Sequence, residues 1–458
     1  MNIVDRAHLR NAVESRLQAL IAGVSQAVEA GTQVRDLDEL IRGQVPEIGA
    51  ELHRAAVDEF ARLCRRTAAD EAPSCPSCGG EMRFKQMRRM TVRTALDGKP
   101  RRVASPYCFC TECRIGLLVA RQRLGLDESG LTPTLRKLAV LAGTIEPFES
   151  ASSNVLTRFA RIEMSSSKIH DLCLEEGTNA DARMQVEPLG KPRRLREGER
   201  LYVEIDGGML HIDREWHEAK LAVVFPESGI ADVSNKRRQI TERQVVCTLG
   251  DRHELGRKLW RVVEPYLPVD PDGRPIIQGV VYVLGDGADW IQGVVDEVLP
   301  GAAFTLDWYH VSDYIAAAAR AMYDDETVRR RWRSRQRNLL FDGKIDEMLR
   351  GVARAMMRHP AGSSTHEALE DLHRYLSKRR EQLDYRQARK EGRYIGSGVA
   401  ESGISYVLQQ RMKLAGTRWL WPGAQAMCAL RCAWRTTGAF DSLFEVTPAS
   451  TRLTALAS

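Results

Sequence analysis

Two short apolar segments, each ending in an aspartate beside glycine, constrain this chain more than any other feature. In residues 201–208 a largely apolar run reaches Asp206 and two glycines. In residues 281–290 a second apolar run reaches Asp286, which has a glycine on either side. Each pattern predicts a buried strand whose terminal carboxylate is held at a sheet edge, a position suited to a metal ligand or a catalytic acid. Taken alone, each also fits a plain Asp-Gly turn.

A glutamate far downstream completes an acidic set. Glu401 opens a strongly helical segment after the glycine-containing run at residues 395–399. Two strand-end aspartates and one helix-borne glutamate can hold two divalent metal ions over a phosphodiester. We therefore expect Asp206, Asp286 and Glu401 to bind Mg²⁺ or Mn²⁺, since Mg²⁺ keeps several water ligands and needs few carboxylates. Glu204, on the same predicted strand face as Asp206, is a possible substitute ligand.

Size and charge narrow the class of protein. At 458 residues the chain is too long for one compact core, which predicts several domains. Its net charge of +6 permits a polyanionic partner. The clustering is more informative, because residues 329–337 hold six arginines in nine positions. Such a run also occurs on ordinary solvated helix faces, so it indicates nucleic-acid binding only together with other features.

The chain is expected to act inside the cell. It contains no apolar run of about 18 residues, so no membrane span is predicted. Its N-terminal residues lack the apolar core of a signal peptide. In a reducing compartment the ten cysteines are not expected to form disulfides.

Four of those cysteines have the spacing of a zinc site. Two Cys-x-x-Cys pairs, separated by basic strands and a turn at residues 97–100, predict a zinc ribbon over residues 71–125. The predicted Zn²⁺ ligands are Cys75, Cys78, Cys110 and Cys113. Cys108 lies two residues before the second pair and leaves open a shift of one ligand.

Helical periodicity surrounds the cysteine pairs. Residues 1–70 predict a helical arm, broken at Gly31 and Pro46, that serves either self-association or simple packing. Residues 126–190 predict three helices, the first capped by Thr132 and the third ending near Gly177.

The second and third of these helices fit a helix-turn-helix, with three packed helices and no DNA role as the alternative. The third helix begins with a run of serines, which would cap it. Ser166 and Lys168 in its first turn are the expected DNA contacts.

From residue 198 onward the pattern changes to strands. Strands are predicted at residues 201–205, 220–225, 244–249, 280–284 and 303–306, with helices at 255–263 and from 290 to 299. This order predicts a mixed α/β sheet in residues 198–311. A charged helical segment at 312–394 then separates it from the Glu401 helix in residues 395–445. Residues 446–458 are expected to form a poorly ordered tail.

Three groups of residues together resemble bacterial insertion-sequence transposases of the Kra type, which is related to the Mutator-like group. The groups are Gly285–Trp290, Leu306–His310, and Glu401 with Arg411–Lys413 and Arg418–Trp419. The order of cysteine pairs and helix-turn-helix in the N-terminal half is also similar to that family. The resemblance covers about residues 75–435, with Cys108 as a departure.

The resemblance implies a multidomain α+β protein with a ribonuclease H-like catalytic domain interrupted by an all-helical insertion before the glutamate. In that fold the first and fourth strands lie side by side and bring their aspartates together. Residues 307–310 match a family motif of Cys or Asp, two residues and His. His310 is therefore expected to contact the scissile phosphate or brace the site, with a packed histidine as the alternative.

The expected activity is metal-dependent DNA cleavage and strand transfer at the ends of an insertion sequence. Expected partners are transposon-end and target DNA, with a homodimer or larger assembly on DNA in the bacterial cytoplasm near the nucleoid. Further expected DNA contacts are Arg329, Arg331, Arg333, Arg411 and Lys413. The alternatives are a non-catalytic DNA-binding derivative, a ribonuclease H-like nuclease that does not join strands, and a zinc-ribbon adaptor for a protein partner.

Overall fold

A computed structural model describes residues 5–70, 73–234 and 237–445. The fold is mixed α+β, with 55% helix and 17% strand. The chain divides into two compact units, the first comprising Met1–Leu172 with Phe444–Ser458 and the second comprising Cys173–Leu443. None of the helices in the described ranges has the length and apolar content required to span a bilayer. The predicted tail at residues 446–458 lies outside the described residues.

Two long helices open the first unit, as the periodicity predicts. They are α1 (Arg6–Glu29) and α2 (Val34–Asp70), separated at Gly31, whose φ of 67° is easily adopted by glycine. The predicted break at Pro46 is wrong, because Pro46 lies inside α2. Val57 and Ala61 of α2 pack against the strands that follow, and this tertiary packing outweighs the one hydrogen bond that a proline removes.

Those strands form a small antiparallel sheet. They are β1 (Arg83–Val92), β2 (Arg101–Phe109) and β3 (Gly116–Leu118), in the order β1-β2-β3, followed by the short helix α3 (Val119–Arg123). The predicted turn is present between β1 and β2, where the Gly98 amide donates to the Thr94 carbonyl at 3.0 Å. The sheet carries the paired cysteines at its ends.

Three helical segments follow. They are α4 (Pro133–Ile145), α5 (Phe148–Ser150) with a π-helical continuation (Ala151–Ala160), and α6 (Ser166–Met184). Thr132 caps α4 by accepting from the Leu135 amide at 3.3 Å. Gly177 does not end α6 as predicted. A Cβ at Gly177 would lie 2.3 Å from the Ala426 carbonyl oxygen, so this glycine permits close packing inside the second unit.

The second unit is built on a mixed five-stranded sheet. Its strands are β4 (Leu201–Ile212), β5 (Glu215–Pro226), β8 (Gln244–Thr248), β9 (Val281–Gly285) and β10 (Ala303–Leu306), in the order β10-β9-β4-β5-β8. β10, β9 and β4 are mutually parallel, while β5 and β8 are antiparallel to their neighbours. An additional two-stranded ribbon of β6 (Ile230–Ser234) and β7 (Arg237–Ile240) was not predicted from the sequence.

Helices surround this sheet. The sheet helices are α7 (Arg252–Val263) and α8 (Asp289–Val298); the charged segment forms α9 (Trp308–Met322), α10 (Glu326–Phe341), α11 (Ile345–Met356), α12 (Ser364–Lys378) and α13 (Tyr385–Lys390). The last helices are α14 (Gly398–Ile404), continued through a π-helical turn (Ser405–Gln409) into α15 (Gln410–Met412), then α16 (Trp421–Arg435) and α17 (Ala439–Ser442). Leu306 at the end of β10 belongs to the same apolar cluster as Leu340 and Leu372, so helices α9–α13 pack onto this end of the sheet.

Candidate functional site

The parallel register aligns three aspartates in one row at the level where β9 and β10 end. The prediction that Asp206 ends its strand is wrong, because β4 continues to Ile212 in pairing with β5. β4 and β10 both pair with β9 so that the residue before each aspartate is opposite Gly285. The next position on each strand path is Asp206, Asp286 and Asp307, respectively. Because parallel strands present their carboxyl ends at one edge, the row gathers negative charge at a single place. The pairing predicted for the first and fourth strands is therefore observed.

The pKa of Asp206 is affected by burial and by the neighbouring carboxylate of Asp286. Burial raises the pKa of Asp206, the Gly207 amide opposes the rise, and the charge of Asp286 adds to it, so that the pKa is about 6. The Gly207 amide donates to Asp206 Oδ1 at 2.7 Å. An aspartate in this setting is stabilised by a nearby cation, because a cation favours its charged form.

The loop of Asp286 is fixed by hydrogen bonds from its own backbone and from the end of α12. Asp286 Oδ1 accepts from the Ala288 amide at 2.8 Å, which fixes the turn after β9. The Tyr375 hydroxyl donates to the Asp286 carbonyl at 2.7 Å, and Arg379 donates to the Gly287 carbonyl. Tyr375 and Arg379 were not predicted as site residues, since nothing local in α12 indicates a partner about 90 positions away.

Asp307 belongs to the same row and comes directly after the end of β10. Its side chain is 1% exposed. Asp307 Oδ1 accepts from the Ser397 amide at 2.7 Å, and Oδ2 lies 2.7 Å from His310 Nδ1. The carboxylate thus joins the end of β10 both to the start of α9 and to the segment that leads into α14.

His310 is a cation at neutral pH. The hydrogen bond that His310 donates to Asp307, against the effect of burial, raises the pKa of His310 to about 9. The charges of Asp286 and Asp206 contribute to the same rise. The imidazole side chain is 42% exposed, so it is not the packed histidine of the alternative interpretation and remains accessible to an anionic ligand.

Glu204 connects β4 to the N-terminus of α14. Its carboxyl group is 1% exposed, and Oε2 accepts from the amides of Val399 at 2.9 Å and Ala400 at 2.8 Å. Burial, against these two hydrogen bonds, raises the pKa of Glu204 to about 8. Glu204 therefore positions the helix that carries Glu401 and does not offer itself as the substitute metal ligand suggested by the sequence.

Glu401 lies on the exposed side of α14, away from the side that packs on the sheet. A Cβ at Gly403 would meet Leu221 of β5 at 2.9 Å, so the Gly403 flank lies over β5. An α-helix turns about 100° per residue, so Glu401 lies on nearly the opposite flank, away from β5. At the N-terminus of α14 the Ser397 amide donates to Asp307. The Glu401 side chain is exposed.

The three predicted acids do not converge to ligand distance in the described part of the chain. Within residues 5–70, 73–234 and 237–445, the only group of three or more His, Cys, Asp or Glu side chains whose ligand atoms all lie within 4.8 Å of one another is formed by cysteines. The predicted set of Asp206, Asp286 and Glu401 is not such a group.

The cysteine group is a possible metal site with the four residues predicted. Its members are Cys75, Cys78, Cys110 and Cys113. Each pair forms a knuckle, with the Gly79 amide donating to the Cys75 carbonyl at 2.9 Å in the first and the Cys113 amide pointing at Cys110 Sγ at 3.5 Å in the second. Four thiols at these distances match the tetrahedral preference of Zn²⁺.

The two thiols of the first pair have pKa values shifted in opposite directions. Amides of Cys78 and Ser77 lower the pKa of Cys75 to about 7. The Gly80 amide lowers the pKa of Cys78, but the three neighbouring thiols outweigh it and raise that pKa to about 12. Cys108 is fully buried in the adjacent apolar cluster and lies outside the ligand group, which removes the ambiguity in the second pair.

Comparison with known proteins places the chain in a family. A family model described as "Uncharacterised protein family (UPF0236)" matches residues 27–442. The chain is a UPF0236 protein. No curated protein matches it in a sequence search. Both the cysteine group and the acidic edge lie inside the region that the family model matches.

The predicted DNA contacts of this UPF0236 protein differ in accessibility. In the first turn of α6, Ser166 and Lys168 are half-buried, while Ser167 and His170 are exposed. The exposed pair was not singled out from the sequence, although the helical spacing of buried Ile169 and Leu172 could have indicated it.

The cations predicted to bind DNA on α10 and near the C-terminus also differ in their exposure. Arg331 and Lys413 are exposed, whereas Arg329 and Arg333 both pair with Glu326. The prediction for Arg411 requires correction, because its side chain is 2% exposed and its guanidinium lies 5.4 Å from the Trp419 ring centroid. Arg411 supports the packing of the second unit and is not available to a DNA phosphate.

Proposed function

We propose that this UPF0236 protein is a DNA transposase that binds the ends of an insertion sequence, cleaves DNA and joins the cut strand to a target. One observation carries the proposal. Asp206 and Asp286 occupy adjacent register positions on neighbouring parallel strands, and the helix bearing Glu401 is fastened to the same strand through Glu204. A ribonuclease H-like core interrupted by the helices α9–α13 is the architecture that this arrangement supports.

The donor set suits Mg²⁺ or Mn²⁺. Asp206, Asp286 and Glu401 would supply carboxylate oxygens, the ligands that hard divalent cations prefer. The raised pKa of Asp206, about 6, fits a cation site, because a cation would relieve the charge that burial and Asp286 disfavour. When bound, two such ions supply activation of the attacking oxygen and stabilisation of the leaving oxygen.

The remaining residues of the edge would bind and orient the substrate. His310, with a pKa of about 9, presents a positive charge beside the aspartate row and would hold a phosphate oxygen. Asp307 accepts from His310 and thereby fixes the ring and its charge. Glu204 and Asp307 would keep the Glu401 helix in register with the strands, since both accept amides from its N-terminal segment.

The first unit would find and hold the DNA. We propose a structural Zn²⁺ on the four cysteines and sequence recognition by α6 as the second helix of a helix-turn-helix. Exposed cations of the second unit, such as Arg331 and Lys413, would also contact phosphates. Transposon-end cleavage by such an enzyme would require two or more copies on DNA, so we propose a homodimer or larger assembly.

One assay separates the proposal from its alternatives. The purified protein is incubated with DNA carrying the sequences that flank its own gene, a target plasmid, and Mg²⁺ or Mn²⁺. Joined products support a transposase. Cleavage without joining would assign a nuclease, and DNA binding without either product would assign a non-catalytic derivative.

A further inference from the structure

The outer half of β1 is unusually exposed for a strand. All seven side chains from residue 83 to residue 89 are exposed, and only Met90 and Val92 turn into the core. β1 is also an edge strand, because the sheet order is β1-β2-β3. The half-strand therefore protrudes from the packed part of the ribbon with both faces in solvent.

The charge of this half-strand is of one sign. Arg83, Lys85, Arg88 and Arg89 are its ionisable residues, and all four are cationic. Between residues 83 and 109 the single acid is Asp97, which pairs with Arg101 at 2.6 Å in the turn. The surface is complementary to a polyanion, because few acidic side chains nearby can neutralise its positive charges.

Two of the cations are held in place by rings on β2. Lys85 Nζ lies 4.1 Å from the Phe109 ring centroid, and the Arg88 guanidinium lies 3.6 Å from that of Tyr107. Cation–π contact fixes a long side chain without neutralising it. Pre-ordered cations lose less conformational entropy when they bind a phosphate, which favours a binding surface over a purely solvated one.

Apolar side chains are interleaved with the cations. Phe84 is 55% and Met87 is 44% exposed. Charged residues on an edge strand also prevent strand-to-strand aggregation, but that purpose is poorly served by exposed apolar groups beside them. Cations with interleaved apolar side chains suit a DNA groove, where phosphates and the sugar or thymine methyl groups are both available.

We propose that residues 83–89 of β1 form a second DNA-binding surface, which contacts the duplex backbone independently of α6. The ribbon would then be a DNA-holding module in addition to a zinc-stabilised fold. The choice of duplex DNA as the polyanion rests on the proposed function; the cationic surface itself rests on the contacts above.

The test removes the four charges together. In one variant Arg83, Lys85, Arg88 and Arg89 are changed to glutamine; in a matched control Arg6, Arg10, Arg42 and Arg54, four exposed cations of α1 and α2, are changed to glutamine. Affinity for a random-sequence duplex is measured over a range of salt concentrations. Each lost phosphate contact lowers the slope of log K against log salt by about 0.9. The β1 variant should lose about two to four units of slope, and the control less than one.

The controls keep each outcome decisive. Zinc content equal to that of the wild-type protein shows that the ribbon is folded in the β1 variant. Equal slopes for the β1 variant and the wild-type protein would refute the proposed DNA-binding surface. Equal slopes together with lower solubility of the variant would indicate that the β1 charges prevent aggregation at the edge strand. A reduced slope in a protein that never joins DNA strands would retain the surface and reject the proposed transposase.

Discussion

Replacing the carboxyl group of Glu204 with an amide tests how the Glu401 helix is attached to the sheet. Both amides donate to one oxygen, Oε2, and the carboxyl group is 1% exposed with a pKa of about 8. At pH 7 the folded protein therefore holds this group mainly in its neutral form. Glu204→Gln keeps the size and one acceptor oxygen, so it should leave the fold intact.

The two proteins should differ in how stability depends on pH. In the unfolded chain the carboxyl group loses its proton near 4.5, and in the folded protein near 8. Between these values the folded state binds more protons, so wild-type stability falls as pH rises. The slope approaches about 1.4 kcal/mol per pH unit, and over about 3.5 units the loss approaches about 5 kcal/mol. Glutamine does not titrate and lacks this loss.

Urea unfolding of both proteins at several pH values from 5 to 9 measures the difference. Glu204→Gln should become progressively more stable than the wild-type protein as pH rises. Glu204→Ala is the contrasting variant, because it leaves two buried amides without an acceptor at about 1–3 kcal/mol each at every pH. Parallel pH profiles for the glutamine variant and the wild-type protein would refute the burial of Glu204 and its role in positioning α14.

The cysteine group, Asp206 and the first turn of α6 each give one further prediction. Metal analysis should find about one zinc per chain, lost in the Cys75→Ser, Cys110→Ser double variant and kept in Cys108→Ser, since Cys108 lies outside the ligand group; unchanged zinc in the double variant would reject the site. The pKa of Asp206 is raised from 3.8 to about 6, so the folded protein should lose stability as the pH rises from about 4 to about 6. Because Mg²⁺ binds the charged carboxylate, Mg²⁺ should raise the Tm more at pH 7.5 than at pH 5. A Tm gain that persists in Asp206→Asn would place the ion elsewhere. Changing Ser167, Lys168 and His170 of α6 to alanine should weaken binding to end DNA more than to random DNA in a mobility-shift assay, and equal loss on both would remove the recognition role.

The positions of Asp206 and Asp286 were predictable because an apolar run followed by Asp-Gly has a local signature. The apolar runs before Asp206 and Asp286 are long enough to indicate buried parallel strands, and pairing puts their ends together. β4 nevertheless extends to Ile212, beyond the predicted end at residue 205, because its outer half pairs with β5, with one further bridge from Ile212 to Trp419. A two-stranded extension alternates between buried and exposed side chains and is less apolar than a buried strand.

The contacts that sequence reasoning missed join residues far apart in the chain. Glu204 and its partner amides are separated by about 195 positions, so a lone glutamate in a strand gives no sign of them. Gly177 resembled a helix stop, but its reason is the close approach of Ala426. Arg411 was a different kind of error, because a local signal existed. Val407 and Leu408 define the buried face of that helix, and Arg411 continues it at helical spacing.

We propose that Asp206, Asp286 and Glu401 act as one catalytic unit, and Glu401→Gln tests this most directly. The variant removes one charge from the exposed flank of α14, and Glu381→Gln removes an equally exposed charge elsewhere in the second unit as the control. Both are compared with the wild-type protein for strand joining on end DNA with Mg²⁺ or Mn²⁺, and for DNA affinity without activity. Glu401→Gln should retain DNA binding and lose joining entirely, as Asp206→Asn and Asp286→Asn should, while Glu381→Gln joins at the wild-type rate. Full strand joining by the Glu401→Gln protein would contradict the proposed site.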